Sequence, residues 1–235
     1  MISNIVSIAI AVIAAILAIT LHEAAHGYAA WALGDDTAKR AGRLSLNPLV
    51  HIDKVGTILL PGFLLISQLM TIGRIAIMFG WAKPVPVSAW RFPNPRRGMM
   101  FVAAAGPAMN FFLAWLAGLA VHGVDYLPDT MADGAIEFID SFMLMNLVLA
   151  LFNLLPIPPL DGGRIMVGLL PQEAAKAWAG IERYGIVIVL LLLFILPEMS
   201  RDFGHPIDPV RDFLDELLPR ARNLILRLSG NVLDD

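Results

Sequence analysis

The chain contains no cysteine, and no Lys or Arg precedes Lys39. Without cysteine there are no disulfides and no thiolate metal sites, although the compartment stays open. Charged residues make up only 16 % of the 235 positions, against about 25 % in an ordinary soluble domain. A net charge of −3 leaves general nucleic-acid binding without electrostatic support. Internal repeats, low-complexity tracts and room for an inserted soluble domain are also missing. What the chain has in excess is apolar surface: 57 % hydrophobic residues and a mean hydropathy of +0.70. One soluble core of this length cannot absorb that excess. The composition therefore excludes a soluble enzyme and a disordered chain, and predicts an all-α polytopic membrane protein.

A membrane-spanning helix needs roughly 20 mostly apolar residues. Residues 5–21 form such a run, and its helical pattern continues to about Leu33. Further runs cover 99–121, interrupted by Asn110, and 141–160, which carries Asn146 and Asn153. Another covers 177–196, with Glu182 and Arg183 near its start. Residues 57–79 are apolar too, but Pro61-Gly62 predicts an early break, and Gln68 and Arg74 interrupt the rest. A signal peptide opens on a positive stretch, which the first run lacks.

Lys and Arg mark the cytoplasmic side. Residues 34–98 hold nine of them, from Lys39 to Arg97, and 122–140 hold none. The distribution places 34–98 and 159–183 in the cytoplasm and 122–140 outside, provided that 57–79 crosses an even number of times. That segment is expected to dip in and return, and a re-entrant or short β-hairpin element in the first cytoplasmic loop satisfies this. Arg43-Leu44-Ser45-Leu46 and Val85-Pro86-Val87 are the extended candidates, and the prolines confine the second to a sheet edge. The division is a transmembrane domain over 1–200 and an amphipathic tail over 201–235, where Val210, Phe213, Leu214, Leu217 and Leu218 follow helical spacing.

The chemistry is concentrated in His22-Glu23-Ala24-Ala25-His26 at the inner end of the first run. Residues four apart share a helix face, so both imidazoles can hold one metal ion while Glu23 serves as general base toward water. Ionisable groups inside a membrane segment are functional candidates by default. Catalytic zinc takes three protein ligands and keeps one position open. Without cysteine the third must be His, Asp or Glu, and Asp161 is the best placed. It ends the stretch Asn153-Leu154-Leu155-Pro156-Ile157-Pro158-Pro159-Leu160-Asp161-Gly162-Gly163, whose prolines forbid a regular helix and whose glycines permit an unusual turn. His51 lies in a loop beside Asp53, His122 at the far end of its helix and His205 in the polar tail, so all three are weaker candidates. Asn153 is a candidate donor to an oxyanion or a substrate backbone, or else interhelical glue; Asn110 is a weaker candidate for the same role.

These motifs resemble the site-2 protease family of zinc intramembrane metalloproteases. The resemblance rests on His22–His26, on Gly106-Pro107-Ala108-Met109-Asn110 and on Asn153 through Gly162, in that order along residues 5–170. It implies one zinc ion held by His22, His26 and Asp161, with Glu23 as catalytic base near the cytosolic face. The implied partners are transmembrane protein substrates within the bilayer, cleaved in regulated intramembrane proteolysis in the inner membrane of a prokaryote. The chain lacks the PDZ or CBS module of many members and is similar to the small ones, which share the Ser45-Leu46-Asn47-Pro48 loop. The rival class is a catalytically silent membrane protein that binds zinc or transmembrane helices. Transporters show repeated halves, which are missing here, and an intact Glu23 argues against a silent relative.

Overall fold

The structure, a computed structural model, describes residues 2–71, 80, 82–202 and 207–231. Seven principal helices organise them: α1 (Ile2–Ala32), α2 (Leu60–Thr71), α3 (Pro95–Ala120), α4 (Asp129–Asn153), α5 (Asp161–Leu169), α6 (Gln172–Arg201) and α7 (Pro209–Leu228). Among the described residues, four helical stretches are long and apolar enough to cross a membrane: Ile5–Ala32, Pro95–Tyr126, Asp129–Asn153 and Gln172–Arg201. They overlap the apolar runs at 5–33, 99–121, 141–160 and 177–196, although the third starts earlier and ends at Asn153, short of 154–160.

Local chemistry sets the helix ends. Gly34, with φ 101°, takes the left-handed conformation that closes α1, and the Asp35 N–H returns to Ala30 O at 2.9 Å. Asn94 accepts from Arg97 N–H at 3.0 Å and Pro95 fills the first position of α3. Asp208 caps α7 in the same way through Arg211 N–H at 3.1 Å.

α3 is the centre of the bundle and packs on α1, α4 and α5, while α4 also reaches α1. Ala103, Gly106, Ala114, Ala117 and Gly118 are buried on α3. Small residues let helix backbones approach closely in lipid, where packing rather than water exclusion drives association. One core cluster joins Ala114 and Ala117 of α3, Met143 and Leu147 of α4, and Ile225 of α7. The amphipathic tail thus lays its apolar side on the α3–α4 pair, with Leu218 and Ala221 against the same cluster. α6 is mainly exposed, as expected of a helix whose surroundings are lipid.

Two expectations about the first loop need correction. Among the described residues there is no strand, so no β-hairpin forms. Residues 82–88 form no regular element: Pro84 and Pro86 carry no N–H, and the N–H groups of Lys83, Val85 and Ser88 bond to His51 O, Glu23 and Asp35 instead of a strand. Nor does Pro61-Gly62 break the apolar run. Lys54–Leu59 winds as a wide π-type turn and passes into α2 at Leu60. Pro61 then falls in the first turn of the α-helix, where a missing N–H costs least. The rest of that run, 72–79, lies outside the described residues.

Candidate active site

One helical turn separates His22 from His26 on α1, and their rings meet edge to face with centroids 4.6 Å apart. The two Nε2 atoms are 3.1 Å apart. Asp161, the first residue of α5, brings Oδ2 to 3.1 Å from His22 Nε2 and 3.4 Å from His26 Nε2. The chain end that delivers it is the irregular 154–160 segment between α4 and α5. Gly162 and Gly163 fit there because a Cβ on either would lie 2.3–2.4 Å from backbone atoms of Leu154, Leu155 or Pro158.

The second nitrogen of each imidazole is also committed. His22 Nδ1 donates to Asn110 Oδ1 at 2.5 Å, and His26 Nδ1 donates to Val102 O at 2.7 Å. Both acceptors are carbonyl oxygens, so each ring carries its proton on Nδ1 and presents the Nε2 lone pair inward. Asp161 Oδ2 is buried and has no hydrogen-bond donor. Three such lone-pair atoms within 4.8 Å of one another repel unless a cation lies between them. The donor set is two nitrogens and one oxygen with no sulfur, which suits catalytic zinc with one position left open.

Glu23 points into a cavity of about 310 Å³ that His22, His26 and Asp161 also line. Its Oε2 accepts the Val85 N–H at 3.1 Å. Val85 belongs to the 82–88 segment, which has no regular structure and is fastened at several points. Lys83 N–H donates to His51 O at 2.8 Å and Lys83 O accepts from Arg43 at 2.6 Å. Ser88 N–H donates to Asp35 Oδ2 at 2.6 Å. The Asp35 carboxylate is fully buried and also takes the Thr37 N–H and hydroxyl. Burial alone would raise the Asp35 carboxyl, but these donors and the nearby Arg91 guanidinium outweigh it and hold it below its ordinary value.

The remaining candidates separate clearly. Asn153 lines the cavity, and its Nδ2 donates to Leu149 O at 3.0 Å. Asn110 is fully buried behind His22 and does not line the cavity. His51 is buried and bonded to Ser45 O at 2.9 Å, so it braces the first loop. His122 is bonded to Ser229 O at 2.8 Å, at the tail. His205 lies outside the described residues. The sequence reading did not single out Asp35, Val85 N–H or Asn146 for the site; of these only Asn146, an amide in an apolar run, carried a readable signal.

A bundle of membrane-length helices that sets an H-E-x-x-H pair against a distant carboxylate, with the Glu on the same cavity, is the arrangement of an intramembrane metallopeptidase. The comparisons agree. The profile of Peptidase family M50 matches residues 120–196. YwhC of Bacillus subtilis, provisionally named a zinc metalloprotease, is 41 % identical over 191 residues, covering 79 % of this chain and 80 % of its own. Rip2 of Mycolicibacterium smegmatis, with the same provisional description, is 34 % identical over 80 % of this chain and 67 % of its own. The zinc metalloprotease MJ0392 of Methanocaldococcus jannaschii is 29 % identical over 107 residues, 43 % of this chain and 30 % of its own. No solved structure gives a significant match. The chain belongs to peptidase family M50, the site-2 protease family, and is a membrane-embedded zinc metalloprotease.

Proposed function

We propose that this protease hydrolyses peptide bonds within or near transmembrane helices of membrane-protein substrates, as in regulated intramembrane proteolysis. It does so at a single zinc ion held by His22, His26 and Asp161, with Glu23 as general base. The observation that carries this reading is the convergence of those three ligand atoms beside Glu23 on one cavity, among helices of membrane-spanning length.

Zinc, when bound, supplies Lewis acidity that polarises a carbonyl and acidifies water. The residues do the rest. With Oε2 of Glu23 engaged by the Val85 N–H, Oε1 takes the proton from attacking water and later returns it to the departing amine nitrogen. The second Nδ2 hydrogen of Asn153 is available to a substrate carbonyl at the cavity wall, a contribution of the oxyanion-stabilising type. A peptide bond inside an α-helix is shielded by its own turns and side chains, so the scissile segment enters unwound. The 82–88 segment beside Glu23, which belongs to no ladder, is the backbone against which such a segment can lie.

In the proposed orientation the basic 34–56 and 80–98 segments face the cytoplasm of a prokaryotic cell and 122–140 faces outward, which places the water supply on the cytosolic side. This requires that the 57–79 segment does not cross once. The test is cleavage of a model single-span protein co-reconstituted in proteoliposomes, with the cut mapped by mass spectrometry. Cleavage inside or at the edge of the apolar segment supports the proposal. Cleavage confined to soluble loops, at the rate seen for an unanchored peptide, contradicts it.

A further inference from the structure

We propose that Asn110 and Asn146 are positioning residues for His22, forming a two-amide relay across three helices that fixes which nitrogen His22 offers to the metal. The inference rests on the reading of His22 as a zinc ligand.

Both asparagines are fully buried, near the middle of two apolar helices. Interhelical adhesion alone would be satisfied by a bond between them. The relay goes further, and its polarity is forced from one end to the other. The Phe142 carbonyl can only accept, so the Asn146 NH₂ group turns to it, at 2.8 Å. That leaves Asn146 Oδ1 facing α3, where it accepts from Asn110 Nδ2 at 2.7 Å. The Ala18 carbonyl, 3.4 Å from the same Nδ2, is a second acceptor that favours this orientation. Asn110 Oδ1 is then the atom left for His22, and it accepts from Nδ1 at 2.5 Å. Reversing either amide would set oxygen against oxygen at one of these contacts. His22 is thereby held as the Nδ1–H tautomer, with the Nε2 lone pair on the side of His26 and Asp161.

His26 supplies an internal contrast. Its Nδ1 is held by the backbone carbonyl of Val102, which no side-chain substitution removes. His22 is thus the imidazole whose aim depends on side chains, and the two ligands should respond differently to substitution in the core. Partners that orient a ligating histidine in this way typically change metal affinity by about 10–100-fold when lost.

The test is zinc affinity of the purified full-length protein by chelator competition, together with ¹⁵N-histidine NMR of the zinc-free protein. Asn110→Leu keeps the approximate volume and removes the acceptor. It should weaken zinc by about 10–100-fold and release His22, but not His26, from the single Nδ1–H tautomer. Asn146→Leu should weaken zinc less than Asn110→Leu, because Asn110 then keeps only the longer Ala18 contact. If Asn110→Leu does not fold, Asn146→Leu carries the same tautomer readout. His22→Ala is the control for the underlying assignment: if it keeps zinc, the ligand reading fails. If His22→Ala loses zinc while Asn110→Leu binds it as wild type does, with an unchanged His22 tautomer, the positioning role is overturned.

Discussion

Gly106 of α3 stands directly against His22: a Cβ built on it would lie 2.5 Å from His22 Cε1 and equally close to His26 Cε1. The absence of a side chain at this position lets both imidazoles fit between α1 and α3. Gly106→Ala should therefore displace the ligands rather than merely tighten the core. Overpacking of this kind costs about 1–3 kcal/mol, and the expected signature is a protein that folds but has lost most of its zinc. Elemental analysis of the purified variant checks this, and full zinc content would show that the packing here is looser than the structure indicates.

Asp35 gives a pH-dependent prediction. Its carboxyl is held below the ordinary value, so its contribution to stability is complete above the unfolded value near pH 4 and is lost as pH falls through the lower folded value. Asp35→Asn leaves too few acceptors for the Ser88 and Thr37 donors, at a cost of about 1–3 kcal/mol for an unsatisfied buried group. Its Tm should fall below that of the wild type at pH 7, and the gap should narrow below about pH 4. A gap that stays constant with pH would show that the charge of Asp35 is not what the 82–88 segment depends on.

The same geometry shows how much was readable in advance. The four spans follow from apolar runs of bilayer length, and His22, Glu23 and His26 from a spacing of four on one helix face. The place of Asp161 beside the two histidines was legible as a candidate, because a cysteine-free chain leaves few third ligands and the proline-rich break before it sets a carboxylate at the end of an apolar helix. Other parts were not legible because they depend on contacts distant in sequence. The Glu23–Val85 bond joins residues 62 apart and the Asp35–Ser88 bond residues 53 apart. The expected β-hairpin failed because alternation in Arg43–Leu46 and Val85–Val87 indicates extended backbone but cannot say whether a ladder partner lies beside it. Asn110 was legible only as a weak candidate for the cavity for a similar reason: its helix was evident, but the face it presents was not.

The C-terminal helix should stabilise the bundle without touching the chemistry. Its end is stitched to α3: Trp115 Nε1 donates to Leu228 O at 3.2 Å and Asn231 Nδ2 to Gly118 O at 2.9 Å. Ile225 fills the cluster beneath. Ile225→Ala should cost about 2 kcal/mol or more. Because Gly118 is about 18 Å along α3 from Gly106, zinc content should be unchanged. Thermal unfolding with parallel zinc analysis checks both halves; a loss of zinc would mean that the two ends of α3 are coupled.

Topology can be read with single cysteine probes, which have no background in this cysteine-free chain. Probes at Ser45 and Trp90, which is exposed, should label from one side of the membrane, and a probe at Asp133 from the other. Opposite labelling of Ser45 and Trp90 would make the 57–79 segment a true single span and reverse the charge-based orientation of half the molecule.

The most direct test of the central claim pairs zinc content with cleavage of a membrane-embedded substrate in two variants. Glu23→Gln preserves side-chain size, His22, His26 and Asp161, and removes only the proton acceptor. The account predicts full zinc and a rate lower by about 10²–10⁴-fold. Asp161→Ala removes a ligand, and zinc and cleavage should fall together. Wild-type cleavage by Glu23→Gln, or full zinc with full activity in Asp161→Ala, would contradict the assignment of base and ligands on which the mechanism stands.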